Sequence, residues 1–290
     1  DFFYVAMLAR YFLLYKKLVR FFLINSELRQ DTNESYSKKE FHEFLYSLLE
    51  IAKILLNING NCSDIRVLNW KEAETILRKC ENLDYVFIPF KKQVFNRLHF
   101  YNYSFNVINN LVMKNREIDL ESYLLSIEEI LHHLNVNLPK EPYITWHIRY
   151  SNKWGFQRNL SNLEFNRIYS SLKKWFLFHR IMVVSDINGC TYLKELSREN
   201  NLDLLFSKDF SNSFIGDVAL ILNSEYFFSL RGGGIASVPV FSKIPYGLIA
   251  KPVHERPYGK NKFAVWSTDK QIFINSDKGM PEDVLSLSNK

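Results

Sequence analysis

Short apolar runs alternate with longer amphipathic segments in the second half of the chain. The apolar runs predict strands, at Tyr143–Ile148, Ile181–Ser185, Leu202–Phe206, Tyr226–Leu230 and Tyr246–Ala250. The longer segments have helical spacing, at Asn162–Phe178, Thr191–Asn200, Asp217–Asn223 and Gly233–Ser242. Successive strand–helix units require parallel pairing with right-handed crossovers. This half is therefore predicted to be an α/β domain with a Rossmann-like sheet.

The first predicted helix of this half has a clear buried face, whereas the pattern at the end of the chain is weak. The first predicted helix of the half has six residues at core spacing: Leu163, Phe165, Ile168, Leu172, Trp175 and Phe176. After Lys251 the pattern loosens, and we expect short strands at Phe263–Trp266 and Ile272–Ile274. The end of the chain has the composition of a surface tail.

The first half is dominated by helical periodicity. Helices are predicted at residues 1–24, Glu40–Leu56, Trp70–Glu81, Tyr103–Met113 and Asp119–Leu134, with a strand at Tyr85–Ile88. The segment Asn135–Pro142 has two prolines and no apolar periodicity. We therefore expect a junction near residue 140, between a helix-rich domain at 1–140 and the α/β domain at 141–290.

The segment Phe2–Ile24 is the most apolar stretch near the start, but Arg10, Lys16, Lys17 and Arg20 interrupt it. It is too charged for a membrane span. As a basic amphipathic helix it would make peripheral contact with a membrane. An ordinary surface helix of the first domain is the other interpretation.

Composition narrows the class of protein. Hydrophobic residues make up 47% of the chain and charged residues 23%, which is typical of a globular protein. A net charge of +6 suits a polyanionic partner, although a lysine-rich composition bias explains it equally. The chain has no run of five like charges, so a tail that wraps nucleic acid is not expected. Three scattered cysteines indicate neither a disulfide framework nor a zinc site, and favour a cytoplasmic setting, with or without peripheral membrane contact.

The first candidate site follows the strand at Tyr143–Ile148. His147 and Arg149 alternate along an extended chain and so share one face. Ligands of open α/β sheets bind at the carboxyl ends of the strands, and an arginine fork suits a diphosphate. Three further polar residues of the following loop could add contacts: Lys153, Arg158 and Asn159. A solvated strand end with a structural histidine is the alternative.

The second candidate site follows the strand at Tyr226–Leu230. Arg231 precedes three glycines, Gly232, Gly233 and Gly234, and Ser237 follows them. Glycines at a strand-to-helix junction leave backbone N–H groups open to an anion. The spacing matches neither Gly-x-Gly-x-x-Gly nor a P-loop, so we expect a generic phosphate cradle or, alternatively, a tight turn that needs small residues.

The third candidate is Ser185 with Asp186, at the end of the strand Ile181–Ser185. These side chains either line a ribose or sugar pocket or cap the next helix. Asp217 is most simply a helix N-cap. The sequence contains no Asp-x-Asp triplet, no His-Glu-x-x-His and no Gly-x-Ser-x-Gly, so we expect no metal site and no cofactor.

Taken together, the His-Ile-Arg of 147–149, the Ser-Asp of 185–186, the small-residue turn of 232–237 and the Ile-Pro of 244–245 resemble the donor domain of GT-B glycosyltransferases. The His-x-Arg strand is similar to that of the fucosyltransferase group. The late turn and its proline are similar to the bacterial heptosyltransferases. The resemblance implies two Rossmann-like domains, a GDP-fucose-like or other nucleotide-sugar donor, and a glycan, lipid or protein acceptor bound by the first domain.

The resemblance also implies roles for residues. Arg149 binds the diphosphate, His147 shapes the donor pocket, and Arg231 with the Gly232–Gly234 amides holds phosphate or ribose. The chain departs from the fucosyltransferase pattern at Tyr150, where a second arginine is usual, and at the glycines, where serines are common.

Other classes stay open. One is another nucleotide-dependent Rossmann enzyme of sugar metabolism, such as an epimerase or a pyruvyl-type transferase. The other is a basic module that binds nucleic acid or anionic lipid.

Overall fold

The computed structural model describes residues 2–14, 19–25, 38–57, 62–79, 107–112, 119–132, 137–150, 159–230, 234–249, 264–274 and 280–288. The chain divides into two compact units, residues 1–123 and 124–290. The predicted strand Tyr85–Ile88 lies outside the described residues.

The first unit contains a β–α–β arrangement. Its described elements are α1 (Phe2–Leu14), β1 (Val19–Asn25), α2 (Lys38–Leu55), β2 (Cys62–Asn69), α3 (Trp70–Lys79), a helical segment at 107–112 and α4 (Leu120–Tyr123). β1 and β2 pair in parallel, with Phe21 opposite Ile65 and Leu23 opposite Val67. The unit is therefore helix-rich, as predicted, but it also contains a parallel strand pair.

The predicted single helix over residues 1–24 is wrong in its second half. α1 ends at Leu14, and Val19–Asn25 forms strand β1. This segment is rich in β-branched and aromatic residues, and its pairing with β2 satisfies the backbone groups that a helix would otherwise satisfy internally.

Arg10 in α1 was expected to contribute to a charged, exposed face. Instead it is only 5% exposed, and its guanidinium donates to the carbonyl oxygens of Tyr123 at 2.9 Å and Leu55 at 3.0 Å. α1 therefore packs within the first unit, where Arg10 donates hydrogen bonds to the last carbonyl groups of two other helices.

α2 has the amphipathic pattern expected of it. Leu45, Leu48, Leu49, Ala52 and Leu55 are buried, whereas Glu50 and Lys53 are exposed. This spacing places the apolar side chains on one stripe of the helix, which packs on the β1–β2 pair. The prediction of a helix over Glu40–Leu56 is confirmed.

The second unit alternates strands and helices as the sequence predicts. Its elements are α5 (Ile127–Leu131), β3 (Tyr143–His147), α6 (Asn162–Trp175), β4 (Arg180–Val184), α7 (Ile187–Glu199), β5 (Leu205–Phe206), α8 (Phe214–Leu222), β6 (Phe227–Leu230), α9 (Ser237–Val240), β7 (Tyr246–Ile249), β8 (Gln271–Ile274) and α10 (Pro281–Ser288). Two 3₁₀ turns, Ser207–Asp209 and Gly234–Ala236, follow β5 and precede α9.

The six described strands of this unit form one parallel sheet in the order β5-β4-β3-β6-β7-β8. Numbered by their order in the unit, this is 3-2-1-4-5-6, the strand order of the Rossmann fold. The α/β prediction with a Rossmann-like sheet is confirmed for this unit.

The sheet is buried on both faces. On one face Trp146 and its neighbours pack against α6, α7 and α10, and the Trp146 and Phe165 rings stack with centroids 5.1 Å apart. On the other face Tyr143 and Met182 pack against Leu220 of α8. Of the predicted core positions of α6, Phe165, Ile168 and Leu172 are buried.

Two of the predicted core positions of α6 are wrong. Leu163 is 72% exposed and Trp175 is 37% exposed. Leu163 lies about 200° around the helix from Phe165 and so faces away from the sheet, and Trp175 is the last residue of the helix.

The predicted helix Asp119–Leu134 is interrupted between α4 and α5. The backbone N–H of Leu125 donates to the carbonyl of Phe241 at 2.7 Å, and Leu125 makes a parallel bridge to Ser242. Ser126 then caps α5 through the N–H of Glu129. This pairing attaches Leu125 to the second unit, which begins at Leu124 rather than near residue 140.

Three further predictions for the second unit are wrong. Asp217 is not an N-cap, because α8 begins at Phe214 and is capped by Ser213. Residues 264–267 form a turn instead of a strand. The end of the chain forms α10, whose Val284 and Leu285 are at most 3% exposed and belong to the core of the sheet.

Candidate functional site

The strand order predicts a ligand crevice between β3 and β6. The connections from these two strands leave in opposite directions at this point, and ligands of such sheets bind outside the carboxyl ends of the strands there. The predicted segment 147–149 begins with the last residue of β3, and the predicted segment 231–234 follows β6 in the sequence. The two segments that were separately proposed to bind a diphosphate thus follow neighbouring strands.

His147 is the last residue of β3 and lies directly opposite Ser229 of β6. Its Nδ1 is 3.0 Å from the Ser229 hydroxyl, and both residues are buried. The imidazole also stacks on Phe227, with centroids 6.4 Å apart and an angle of 14° between the ring planes. The ring is therefore held in one orientation by a hydrogen bond and by a neighbouring ring.

Burial governs the charge of His147. It lowers the pKa of the imidazole from 6.5 to about 4, and the positive charge of Arg149 acts in the same direction. His147 is consequently neutral near pH 7. A base with this pKa is poorly matched to proton abstraction at neutral pH, which favours a positioning role over general-base catalysis.

Arg149 lies two residues beyond the end of β3 and is partly exposed. Among the described residues of this strand end, Arg149 carries the positive charge, because His147 is neutral. Asn159 is also partly exposed and precedes α6, which follows β3 in the chain. Lys153 and Arg158, predicted to assist Arg149, lie outside the described residues.

The turn after β6 is described from Gly234 onward, and Arg231, Gly232 and Gly233 lie outside the described residues. Gly234 is exposed, and no heavy atom of the described part of the chain lies within 4 Å of a Cβ added to it. Packing therefore does not require a glycine here. Ser237 is 5% exposed and donates to the Gly234 carbonyl at 2.6 Å, so its hydroxyl stabilises the turn.

Ser185 and Asp186 serve the local structure at the end of β4. The Ser185 hydroxyl donates to the Ile148 carbonyl at 2.8 Å and is buried. Asp186 caps α7, accepting from the Gly189 N–H at 2.6 Å. Gly189 is required here, because a Cβ would lie 2.1 Å from Ser185 Oγ. The capping alternative for Asp186 is confirmed, and its carboxylate still lies exposed at the carboxyl edge of the sheet.

A buried ion pair near this edge was missed by the sequence reasoning. Lys208 follows β5 and contacts the carboxylate of Asp217 in α8, and the two side chains are 9% and 6% exposed. Burial raises the pKa of Asp217, and the Lys208 ammonium opposes that rise. A lysine and an aspartate nine residues apart have no periodic signal in the sequence, so nothing local could have indicated this pairing.

Ser229 was missed as an individual site residue as well. A detectable signal did exist, since it is a polar residue near the end of the otherwise apolar strand Phe227–Leu230. Its bond to His147 joins β3 to β6 at the point where the crevice is expected.

Among the described residues, no group of three or more His, Cys, Asp or Glu side chains is arranged to hold a metal ion. None of the described helices combines the length and hydropathy needed to span a membrane. Comparison of the chain with protein-family models, curated protein sequences and solved structures found no match.

Proposed function

We propose that the second unit binds a nucleotide-sugar donor and that the protein is a glycosyltransferase of the GT-B type. The observation that carries the proposal is the position of Arg149 at the carboxyl end of β3, beside the switch point of a 3-2-1-4-5-6 sheet. The donor would be a nucleotide diphosphate sugar, GDP-fucose or a similar compound. Its acceptor, a glycan, a lipid or a protein, is assigned to the first unit.

The turn after β6 supports the same assignment. Gly234 is exposed, and none of its described neighbours would contact a Cβ added there. Close packing therefore does not explain why this position is a glycine. A glycine with open space around it allows a ligand to approach the backbone. Arg231, Gly232 and Gly233 precede it in the sequence and are proposed to contact the phosphate or ribose.

The proposed chemistry is the loss of a nucleoside diphosphate from the sugar while an acceptor hydroxyl attacks. Arg149 would stabilise the negative charge that develops on the departing diphosphate, which is electrostatic catalysis. The neutral imidazole of His147, held by Ser229, would define the wall of the donor pocket beside Arg149. The sequence contains no Asp-x-Asp triplet, and we propose that charge stabilisation comes from these side chains and needs no metal.

Ligand-induced thermal stabilisation tests the proposal. The full chain is screened with GDP, UDP, ADP, CMP and their sugars at concentrations far above the dissociation constant. At a 100-fold excess over Kd, one ligand should add about 2.7 kcal/mol to the free energy of unfolding. We expect stabilisation by one nucleotide diphosphate that is lost in Arg149→Ala.

Arg167→Ala is the matched control, because Arg167 is an exposed arginine of α6. It should keep the full response to the nucleotide. A wild-type protein that responds to none of these compounds would show the proposal to be wrong. Retained stabilisation in Arg149→Ala would show that Arg149 does not contribute to nucleotide binding.

The strand order also favours a second candidate, a nucleotide-dependent Rossmann enzyme of sugar metabolism, since dinucleotide-binding domains share it. Including NAD⁺ and NADP⁺ in the screen distinguishes the two. The chain has two Tyr-x-x-x-Lys pairs of the kind that epimerases use, Tyr169 with Lys173 and Tyr258 with Lys262, and the second pair lies outside the described residues. Lys173 donates to the His179 carbonyl at the amino end of β4, on the edge of the sheet opposite the carboxyl ends of the strands. This placement argues against Tyr169 and Lys173 as an epimerase pair.

A further inference from the structure

Two tyrosines stack on one another at the carboxyl edge of the sheet. Tyr150 lies three residues after β3, and Tyr192 lies in α7, which follows β4. Their ring centroids are 4.4 Å apart, and the angle between the ring planes is 19°. The pair therefore joins two neighbouring strand–helix units next to Arg149.

The setting of this pair differs from that of the core aromatic pairs. The stacked rings of Trp146–Phe165 and Phe241–Trp266 are buried in the interior of the second unit. Tyr192, in contrast, is 39% exposed and Tyr150 is partly exposed. An aromatic ring left accessible at a ligand-binding edge offers a flat surface on which another ring can stack.

Two exposed polar residues lie at the start of the same helix. Asn188 is one helical turn before Tyr192 and is exposed, and Asp186 is exposed at the end of β4. Asp186 caps α7 through Oδ1, and a carboxylate retains further acceptor capacity on its second oxygen. An aromatic surface on a helix whose start carries an amide and a carboxylate suits a nucleoside, which combines a planar base with ribose hydroxyls.

The strand order indicates which part of a nucleotide would lie here. β4 pairs with β3 in parallel, so Asp186 at the end of β4 lies at the same carboxyl edge of the sheet as Arg149 and Tyr150. A carboxylate at this edge can accept hydrogen bonds from ribose hydroxyls. Arg149 and Tyr150 are consecutive, with Cα atoms about 3.8 Å apart, so Arg149 and the stacked pair belong to the same strand end.

We propose that Tyr192, supported from behind by Tyr150, stacks against the nucleobase of the donor nucleotide. The inference rests on the proposed function and names the part of the donor that this surface binds. In this proposal Arg149 binds the diphosphate of the donor and Tyr192 binds its base.

Isothermal titration of the full chain with the four ribonucleoside diphosphates and with inorganic pyrophosphate tests the proposal. Stacking of a base on an aromatic side chain corresponds to about 5- to 160-fold in Kd. Tyr192→Ala should therefore weaken binding of the preferred nucleoside diphosphate by that factor and leave pyrophosphate binding unchanged. Tyr192→Phe should bind like the wild type, because the ring is retained.

Phe178→Ala is the matched control, since Phe178 is 92% exposed and precedes β4 at the opposite edge of the sheet. Its nucleotide affinity should equal that of the wild type. Tyr192→Leu is the second variant, because it keeps an apolar contact with Tyr150 without an aromatic ring. It should lose affinity for the nucleotide while keeping the wild-type melting temperature.

The outcomes separate the two proposals. Nucleotide binding that depends on Arg149 but is unchanged in both Tyr192→Ala and Tyr192→Leu would overturn the stacking proposal and leave the donor site intact. Equal weakening of nucleotide and pyrophosphate in these variants would overturn it too, because the effect would not belong to the base. Absence of binding to every compound in the wild type would overturn both.

Discussion

Replacing His147 with asparagine should remove a pH dependence of stability that this one buried side chain creates. Burial and the adjacent Arg149 lower the pKa of His147 to about 4, against 6.5 for an unperturbed histidine. Between these two values the unfolded chain binds a proton that the folded chain does not. The free energy of unfolding therefore falls as the pH falls through this window, and it is highest above pH 6.5.

The size of the effect follows from the two pKa values. A difference from 6.5 to about 4 corresponds to about 3 kcal/mol between pH 7 and pH 4. Only 7% of His147 is exposed, so solvent screening reduces this figure little. A loss of that size is a large share of the ~5–15 kcal/mol stability of an ordinary domain.

Urea unfolding from pH 4 to pH 8 measures the effect in wild type and His147→Asn. The difference between the two curves isolates the contribution of His147 from those of other titrating groups. NMR titration supplies a direct check, since the signal missing from the His147→Asn spectrum identifies His147 in the wild type. We expect its midpoint below pH 5.

Ser229→Ala is the companion variant, because it removes the hydrogen bond to Nδ1 and keeps the imidazole buried. It should cost about 1 kcal/mol and retain most of the pH dependence, since burial is the main cause of the lowered pKa. A titration midpoint above pH 6 in the wild type, or identical pH curves in wild type and His147→Asn, would refute the reasoning.

Three further substitutions test the second unit. Lys208→Met leaves the buried Asp217 carboxylate without its cation and should destabilise by about 3–5 kcal/mol at pH 7. Burial raises the Asp217 pKa, so in urea unfolding this penalty should shrink toward pH 4 as the carboxylate takes up a proton, and a pH-independent penalty would contradict the ion pair. Phe165→Ala removes a fully buried ring stacked on Trp146 and should cost about 3–5 kcal/mol in the same assay; less than 1 kcal/mol would contradict the packing. Ser161→Ala removes the capping box of α6 and should lower stability by about 1 kcal/mol, with the exposed Ser170→Ala as the neutral control.

The alternation of strands and helices in the second unit could be predicted because its signal is local. Each strand is a short apolar run, and the carboxyl-end residues His147, Arg149 and Asp186 follow such runs directly. The period of apolar residues also identified the buried face of α2 and the centre of α6. These features depend only on residues within about two helical turns of one another.

Segments whose conformation depends on a distant partner were predicted less well. Val19–Asn25 has the apolar content of the preceding helix and becomes a strand because β2 pairs with it. Leu125 leaves the helical path because its backbone bonds to Phe241. The end of the chain has few apolar residues, yet Val284 and Leu285 are enough to attach α10 to the sheet.

The sequence by itself determined that the second half is an α/β domain with polar residues at its strand ends. Tertiary structure decided which of those ends meet. Strand order and register arise from pairing between residues far apart in the chain, which no local pattern encodes. That pairing places His147 opposite Ser229 and buries the imidazole, which leaves His147 neutral and Arg149 charged at this strand end. It also places α7 beside the end of β3, where Tyr192 stacks on Tyr150.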